Sequence, residues 1–507
     1  MFTKAKILKE KYGKNITTPF LQELIWFHRI KEDQDKELLA LEFLNVCASQ
    51  ERKDKLFNKN FSTVSYKKDM QIRTILYNFP ELEFIVKSSA EAVNKWEEIE
   101  KTLSQKSENP YSYKHLKKRF ETIDVFYHSV QLLRKASLGL NTSRRWTSKF
   151  LFPFSFDTLF VDVDNRKDAF TIDRRFFSRG GEVLYLMVSR GKNVEKLKEL
   201  ILESYKISSQ NKRWNSLLEI LRDESNIYAD ERELGFLGTD SHEVFDQLVD
   251  DLIKLFELNI SQNDIFEHLS SISAYYIVHF ILTKSLEIVK SSNLNNEDIK
   301  VIYPIELMAP KSDHVRKSSR QIYKINEDLP IEALSKVFND YMDQLNTESD
   351  KEVLLKKLKD ELNYYNEDNH DEGNINLVDI RQEIWKEIFK KAKSDLTSIH
   401  RVLFKGVGLA SVKKTNSYRY LANDEWLKTL VLINVNKRIT FQEFIDLLYK
   451  KYGFIISNKH SDLLTETYSE NDFQKNEKRL FERLRALGLL ENKSDGYAYV
   501  INRYGRK

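Results

Sequence analysis

Glycine and proline are scarce in this chain, and their scarcity constrains the fold more than any motif does. The 507 residues include 14 glycines and 7 prolines, and residues 331–507 contain no proline. Proline breaks the interior of a helix and glycine weakens it, so long stretches without either favour helices. Hydrophobic residues make up 41% of the chain, enough for a sizeable core. We therefore predict a mainly α protein, and its length predicts a multidomain one.

The predicted organisation has four regions. Residues 1–145 form an N-terminal helical domain, and residues 146–320 form a central, mainly helical domain with short strands. A small α/β element is expected near 146–190, where "WTSKFLFPFSFDTLFVDVD" is rich in aromatic and β-branched residues. Residues 321–400 form an acidic helical segment with a linker, and residues 401–507 form the last domain. The polar stretch "SDHVRKSSRQIYKINEDLP", which ends at Pro330, is predicted to be a connection.

Charge is distributed unevenly along the chain. The net charge is +4 overall, but it is +6 over residues 131–192, −7 over residues 321–400 and +8 over residues 401–507. Two basic regions separated by an acidic one suggest separate faces or partners, although a solvated helix surface would give the same pattern in the acidic region.

The sequence predicts a cytoplasmic protein without a membrane segment. Cys47 is the single cysteine, which excludes an intrachain disulfide and a cysteine-cluster zinc site. The N-terminus "MFTKAKILKEKYGKN" lacks the apolar stretch of a secretory signal. The densest apolar run, "AYYIVHFIL", has half the length that a membrane span requires.

The C-terminal region predicts three helices and a β-hairpin. The helices are "DEWLKTLVLINV", "TFQEFIDLLYKKYG" and "DFQKNEKRLFERLRALG", and the hairpin is "LLENKSDGYAYVINRY", with Asp-Gly at its turn. This is the element order of a winged helix, and "LFERLRALGLLENKSDGYAYVI" resembles the third helix and wing of that superfamily. The resemblance covers residues 424–502 and implies a fold, while no specific function is carried over with it.

The third of these helices predicts a nucleic-acid interface. Its apolar residues can share one face, and its cations fall largely outside that face. Lys475, Arg479 and Arg483 are four residues apart, so they share a stripe. Such a helix can enter a major groove with its cations on phosphates, and a protein interface or inert packing are the alternatives, because Glu477 and Glu482 interrupt the charge. The predicted contact residues, including one in the wing, are Lys475, Lys478, Arg479, Arg483, Arg485 and Lys493.

A second basic stretch, "DRRFFSRGGEVLYLMVSRGK" at 173–192, predicts a phosphate site. Gly180 and Gly181 precede an apolar helix, whose free N–H groups and positive dipole end would favour an anion. Arg174, Arg175 and Arg179 lie just upstream. The competing interpretation is that the glycines let the helix pack against the aromatic segment 150–160, with the arginines paired to nearby aspartates.

The same stretch gives a second resemblance. "FFSRGGEVLYLMVSRG", preceded by "SRRWTSKFLFPFSFD", resembles proteins encoded in bacterial anti-phage and restriction gene clusters, over residues 143–192. The resemblance implies an ATPase or nuclease subunit as partner and a role in restricting foreign DNA, and it carries over no catalytic residue. The glycines match neither a P-loop nor a dinucleotide-binding fingerprint, so we expect no cofactor.

We therefore predict a non-catalytic subunit that binds DNA, or RNA, or serves as an adaptor. One alternative is a metal-dependent nuclease, with Asp157, Asp162, Asp164 or Glu306 as metal ligands. The acids in these segments lack the acid-x-Lys spacing of metal nucleases, and the histidines show no zinc pattern, so we expect no bound metal. The other alternative is a kleisin-like structural subunit of a chromosome-organising complex.

Overall fold

The fold is known from a computed structural model. The residues that this structure describes are 22, 25–26, 35–59, 63–68, 74–76, 79–106, 112–136, 155–159, 163–164, 171–172, 179–207, 215–216, 219–222, 228–233, 239–290, 300–307, 313–345, 377–412, 417–464, 470–492 and 497–505.

The described residues are mainly helical, as the composition predicts. The α-helices are α1 Lys36–Arg52, α2 Leu82–Lys87, α3 Ala92–Lys106, α4 Lys114–Arg119, α5 Ile123–Ala136, α6 Gly180–Val188, α7 Val194–Leu202, α8 Glu243–Phe256, α9 Gln262–Lys290, α10 Asp313–Leu345, α11 Leu377–Val407, α12 Asp424–Asn434, α13 Phe441–Tyr452 and α14 Glu470–Ala486. The strands are β1 Thr63–Lys68, β2 Val163–Asp164, β3 Thr171–Ile172, β4 Tyr228–Glu233, β5 Tyr303–Pro304, β6 Ala410–Val412, β7 Tyr418–Tyr420, β8 Arg438–Thr440, β9 Phe454–Ile455, β10 Leu490–Asn492 and β11 Ala498–Ile501.

Helix α9 is the central element of the main core. Between Ile265 and Leu282 nearly every side chain is buried, on all sides of the helix. A helix that is apolar all round must be surrounded by protein, and α9 packs against α1, α6, α8, α10, α11 and α12. It is long and apolar enough to cross a membrane, but 67% of its most apolar window is buried inside the protein, as in a core helix.

The main hydrophobic core draws residues from all four predicted regions. It contains Ile25, Val183, Leu334 and Val500, so it crosses each of the borders proposed from the sequence. A second core is built from α2, α3, α4 and α5, and Leu221 joins it from a distant part of the chain. The fold is therefore assembled from contacts that are remote in sequence.

The prediction of a polar connection at residues 312–330 is wrong. Most of this stretch is the first half of α10, which continues through Pro330 to Leu345. Val315 and Tyr323 on this stretch are buried, as are Ala333 and Leu334 beyond the proline. Packing of this face against α9 and α11 outweighs the hydrogen bond that proline removes from a helix. The linker predicted near residues 364–376 lies outside the described residues.

Among the strand pairings that were not predicted, two join parts of the chain that are remote in sequence. Strand β1, in a region predicted to be helical, pairs antiparallel with β4, and Thr63 lies opposite Glu233. Strand β5 pairs parallel with β9, which joins the segment 300–307 to the C-terminal region. The short strands expected between 146 and 172 are present as the antiparallel pair β2–β3.

The C-terminal region has the predicted helices α12, α13 and α14 and the predicted hairpin β10–β11. Thr440 caps α13 through a reciprocal pair of hydrogen bonds with Glu443, and Gly453 ends the helix in a left-handed conformation, with φ at 73°. Strand β8 adds to the hairpin, and the three strands are ordered β10–β11–β8. Helix α14 leads directly into this sheet.

Candidate nucleic-acid interface

Helix α14 has one buried face and one exposed face. Phe473, Leu480 and Leu484 are fully buried, and Phe481 and Leu487 pack against the main core. These five residues are the apolar face expected from the spacing. The opposite side of the helix is therefore available to solvent.

Four of the predicted cations lie on the exposed side of α14. Lys475 and Arg479 have side chains 53% and 47% exposed, and Lys478 and Arg485 are also exposed. Lys475 lies 3.8 Å from Asp472, and Arg479 lies 3.0 Å from Glu482. Exposed pairs of this kind contribute roughly 0–1 kcal/mol, so a phosphate can replace the carboxylate at little cost.

Lys478 and Arg485 are the freest of these cations. Within the described part of the chain, neither side chain forms an ion pair or a hydrogen bond. They are seven residues apart, two turns of the helix, so they lie on the same side of α14. Two unneutralised cations on one side of an exposed helix favour a polyanion as partner.

The structure corrects the stripe predicted from residue spacing. Arg483 points away from the other cations, because its side chain is only 19% exposed and pairs with Asp424. Its guanidinium also donates to the carbonyl oxygen of Ala422, at 2.6 Å. Arg483 therefore joins α14 to the start of α12 and does not contribute to the open surface.

Asn476 fixes the position of α14, and sequence reasoning missed it. Its Oδ1 accepts from the amide of Leu307 at 2.8 Å, and its Nδ2 donates to the carbonyls of Ile305 and Ile456, at 2.9 and 3.0 Å. The side chain is fully buried. Its spacing from Phe473 and Leu480 places it on the apolar face of α14. A polar residue on that face is the sequence feature from which its role could have been predicted.

The sheet beside α14 adds a cation that sequence reasoning also missed. Val500 and Leu490 point into the core, and Tyr499 lies on the other side of the strand. The exposed Arg438 lies over the Tyr499 ring, 5.3 Å from its centre. The signal was the pair "KR" just before the cap of α13. The predicted wing residue Lys493 lies outside the described residues.

The phosphate site predicted at the start of α6 is corrected by the structure. The amide of Gly181 donates to Glu42 Oε2 at 2.8 Å, so a carboxylate of the protein already occupies the helix N-terminus. Gly180 and Gly181 are buried. Arg179 precedes the helix in a left-handed conformation, with φ at 69°. The other two arginines, Arg174 and Arg175, lie outside the described residues.

Close packing explains the glycine instead. A Cβ on Gly181 would lie 2.5 Å from both Glu42 Cβ and Phe43 N and 2.7 Å from Leu39 O. Gly181 therefore lets α6 pack against α1, whereas the packing interpretation named the segment 150–160, of which the structure describes residues 155–159.

Glu306 and Asp157, the two proposed nuclease ligands whose side chains the structure describes, do not form a metal site. Glu306 is 3% exposed and pairs with Arg316, at 2.8 Å, and with Arg419. Asp157 accepts from Asn215 at 3.2 Å. Asp162 lies outside the described residues, as does the side chain of Asp164, and the described residues contain no group of three His, Cys, Asp or Glu that could hold a metal.

Comparison with known proteins adds no family. No family model, no curated protein and no solved structure matches this chain. The functional argument therefore depends on the geometry of the exposed face of α14.

Proposed function

We propose that residues 424–502 form a winged-helix unit and that the chain binds nucleic acid through α14, without catalysing a reaction. Three helices followed by a hairpin, with β8 completing a three-stranded sheet, are the parts of that fold in their usual order. The α-helix that leads into the hairpin is the element such units place in a major groove.

One observation carries the proposal: α14 buries its apolar face and exposes Lys475, Lys478, Arg479 and Arg485 on the other. Contacts from lysine and arginine to phosphates supply nearly all of the non-specific affinity of a protein for DNA and carry no sequence information. Glu482 lies among these cations, paired to Arg479. We therefore propose a duplex contact through phosphates, with Arg438 as an additional contact from the sheet.

The cellular role that we propose comes from the resemblance of residues 143–192. It is a subunit of a bacterial defence complex that acts on foreign DNA in the cytoplasm together with an ATPase or nuclease. Affinity purification of the tagged chain from its host, followed by mass spectrometry, tests this role. Recovery of an ATPase or nuclease in fixed stoichiometry would support it, and recovery of the chain alone would count against it.

Fluorescence anisotropy with a labelled 30-base-pair duplex tests nucleic-acid binding. The interface variant is Lys478→Glu with Arg485→Glu. The matched control is Lys117→Glu with Lys118→Glu, which changes the net charge equally on the exposed surface of α4. Each phosphate contact adds about 0.9 to the slope of log K against log salt concentration, so the interface variant should lower that slope by about 2.

The titrations of the wild-type protein and the two variants test whether α14 is the binding surface. Loss of affinity in the interface variant alone supports the proposal. Equal behaviour of the two variants, or a wild-type protein that binds no duplex at low salt, would overturn it. The same titration with duplex RNA and with single strands identifies the kind of nucleic acid.

A further inference from the structure

A cavity of about 590 Å³ lies on a different part of the molecule. It is open to solvent on one side and is lined by the start of α8, the second half of α9, residues 300–301 and the end of α13. Pockets that hold small molecules have volumes of roughly 300–1,000 Å³ and carry a few well-placed polar groups. The polar residues that line this one are His242, Glu243, Gln247, His279, Thr283, Glu287, Lys300, Lys450 and Lys451.

Two polar atoms on residues that line the cavity have no hydrogen-bond partner in the described part of the chain. Gln247 donates its Nε2 to Glu243 Oε1 at 3.0 Å, which leaves Gln247 Oε1 buried and unpaired. Thr283 Oγ1 is also buried and unpaired. Buried polar atoms are nearly always hydrogen-bonded, so an acceptor and a hydroxyl left open on one cavity wall indicate a polar ligand.

Two cations of the same cavity form no ion pair within the described residues, although the charge of Glu243 acts on Lys300. Lys300 donates to the carbonyl oxygens of Tyr449 and Lys450, at 2.7 and 2.8 Å, and in the described part of the chain it forms no ion pair. Its partial burial lowers the pKa of its ammonium group. Lys450 is exposed and also forms no ion pair within the described residues. Lysine offers three N–H groups, so Lys300 keeps one for a ligand.

Two of the other charged residues of the wall, Lys451 and Glu287, are paired. Lys451 pairs with the buried Asp251. Glu287 accepts from His242 at 2.9 Å and from Lys284 at 2.6 Å. The Nδ1 of His242 accepts a hydrogen bond from the amide of Val244. The ring proton therefore lies on Nε2, which donates to Glu287. Glu243 is exposed and accepts only from the neutral amide of Gln247, so this carboxylate keeps its charge at the edge of the cavity.

We propose that this cavity binds a phosphorylated small molecule of nucleotide size. Its phosphate, which carries close to two negative charges at pH 7, is held by Lys300 and Lys450. Small rotations of the two side chains would turn Gln247 Oε1 and Thr283 Oγ1, which are buried in this structure, towards polar groups on the body of the molecule. His279, which binds Tyr303 through its Nδ1 at 2.8 Å, borders the same space.

Isothermal titration calorimetry on the full chain tests this site. The panel contains the four nucleoside monophosphates, ribose 5-phosphate, adenosine, inorganic phosphate and malonate. At least one nucleotide or the sugar phosphate should bind about tenfold more tightly than inorganic phosphate, because the body of the ligand makes its own hydrogen bonds. If the nucleotides bind more tightly than ribose 5-phosphate, the base is the group that contacts Gln247. If the two affinities are equal, the sugar is that group.

The diagnostic variant is Thr283→Val, with Ser273→Ala as its control. Both hydroxyls belong to α9 and are buried without a hydrogen-bond partner among the described residues, but Ser273 does not line the cavity. Neither change should lower the melting temperature, and Thr283→Val alone should weaken binding about tenfold. Lys450→Glu should weaken the binding of the phosphorylated compounds and leave the binding of adenosine unchanged.

Four results would overturn the proposal. They are no binding by any phosphorylated compound, equal binding of inorganic phosphate and the larger compounds, tighter binding of malonate, and unchanged binding by Thr283→Val.

Discussion

The backbone amide of Gly181 donates a hydrogen bond to the side chain of Glu42, with 2.8 Å between Gly181 N and Glu42 Oε2. The contact joins the first turn of α6 to the middle of α1, and both residues are buried. A carboxylate at a helix N-terminus is favourable for the same electrostatic reason that a bound anion would be. The glycine-rich stretch thus serves helix packing.

Gly181→Ala should destabilise the protein, because the new methyl group would lie 2.5 Å from backbone and side-chain atoms of α1. Overpacking of this kind costs about 1–3 kcal/mol. The free energy of unfolding, measured by urea denaturation, checks the prediction.

The matched control is Gly406→Ala, in the last turn of α11. There the nearest atom is Lys36 Cγ at 3.7 Å, an ordinary contact. Because alanine favours a helix over glycine, this change should leave stability unchanged or raise it by up to about 1 kcal/mol. Equal effects of the two substitutions would contradict the packing account.

Asn476→Leu should destabilise the protein more strongly. The substitution would leave the buried amide of Leu307 and the carbonyls of Ile305 and Ile456 without their partner. Each such loss costs about 1–3 kcal/mol, so a total of about 3 kcal/mol or more is expected in the same denaturation measurement. Asn471→Leu, at an exposed position of the same helix, should change stability by less than about 0.5 kcal/mol.

Arg483 and Arg485 should have opposite roles although they are two residues apart. Arg483→Gln removes the bonds to Asp424 and to the carbonyl of Ala422, and it should lower stability by about 1–2 kcal/mol. Arg485→Gln should leave stability intact and reduce the salt dependence of duplex binding by about one phosphate contact. A salt dependence reduced by Arg483→Gln and unaffected by Arg485→Gln would reverse this assignment.

Stability should fall on acidification below about pH 6.5. Burial lowers the pKa of His279 and of His400 to about 3. The unfolded chain therefore takes up protons on these groups before the folded chain does. Their effect is absent above the ordinary histidine pKa and destabilises the fold as the pH falls from 6.5 towards 3.

His400→Phe tests the sign of this dependence. Phenylalanine can keep the stacking on Tyr323, whose ring centre is 4.6 Å away, but it does not titrate. The slope of the unfolding free energy against pH between 6 and 4 should fall by about 1.4 kcal/mol per pH unit at most. His128→Phe, on the exposed side of α5, should leave the slope unchanged, and an equal change there would refute the assignment.

The helical character of the fold was predictable because it depends on local composition and periodicity. The three C-terminal helices, the hairpin and the apolar face of α14 were all evident from spacing. The pairing of β1 with β4 was not, because its partners are about 160 residues apart and "YADERE" has no local strand signal. Pro330 suggested a break where tertiary packing maintains a helix.

The candidate interface was predictable only in part. Periodicity separates the exposed cations of α14 from its apolar face, and Lys478 and Arg485 were identified in this way. Periodicity could not show that Asp424 lies close to Arg483, because only the three-dimensional fold brings the start of α12 next to α14. The lysines of the cavity could not be grouped either, because Lys300 and Lys450 meet only through the packing of 300–301 against the end of α13.

The parallel pairing of β5 with β9 has a practical consequence for dissecting this protein. A fragment that began at residue 401 would deprive Asn476 of Leu307 and Arg419 of Glu306, since both partners belong to the segment 300–307. Such a truncation would leave these polar groups without their partners. A binding experiment on the fragment would then report misfolding instead of binding. Genetic or biochemical dissection of the last hundred residues should therefore keep them joined to the strand that precedes α10.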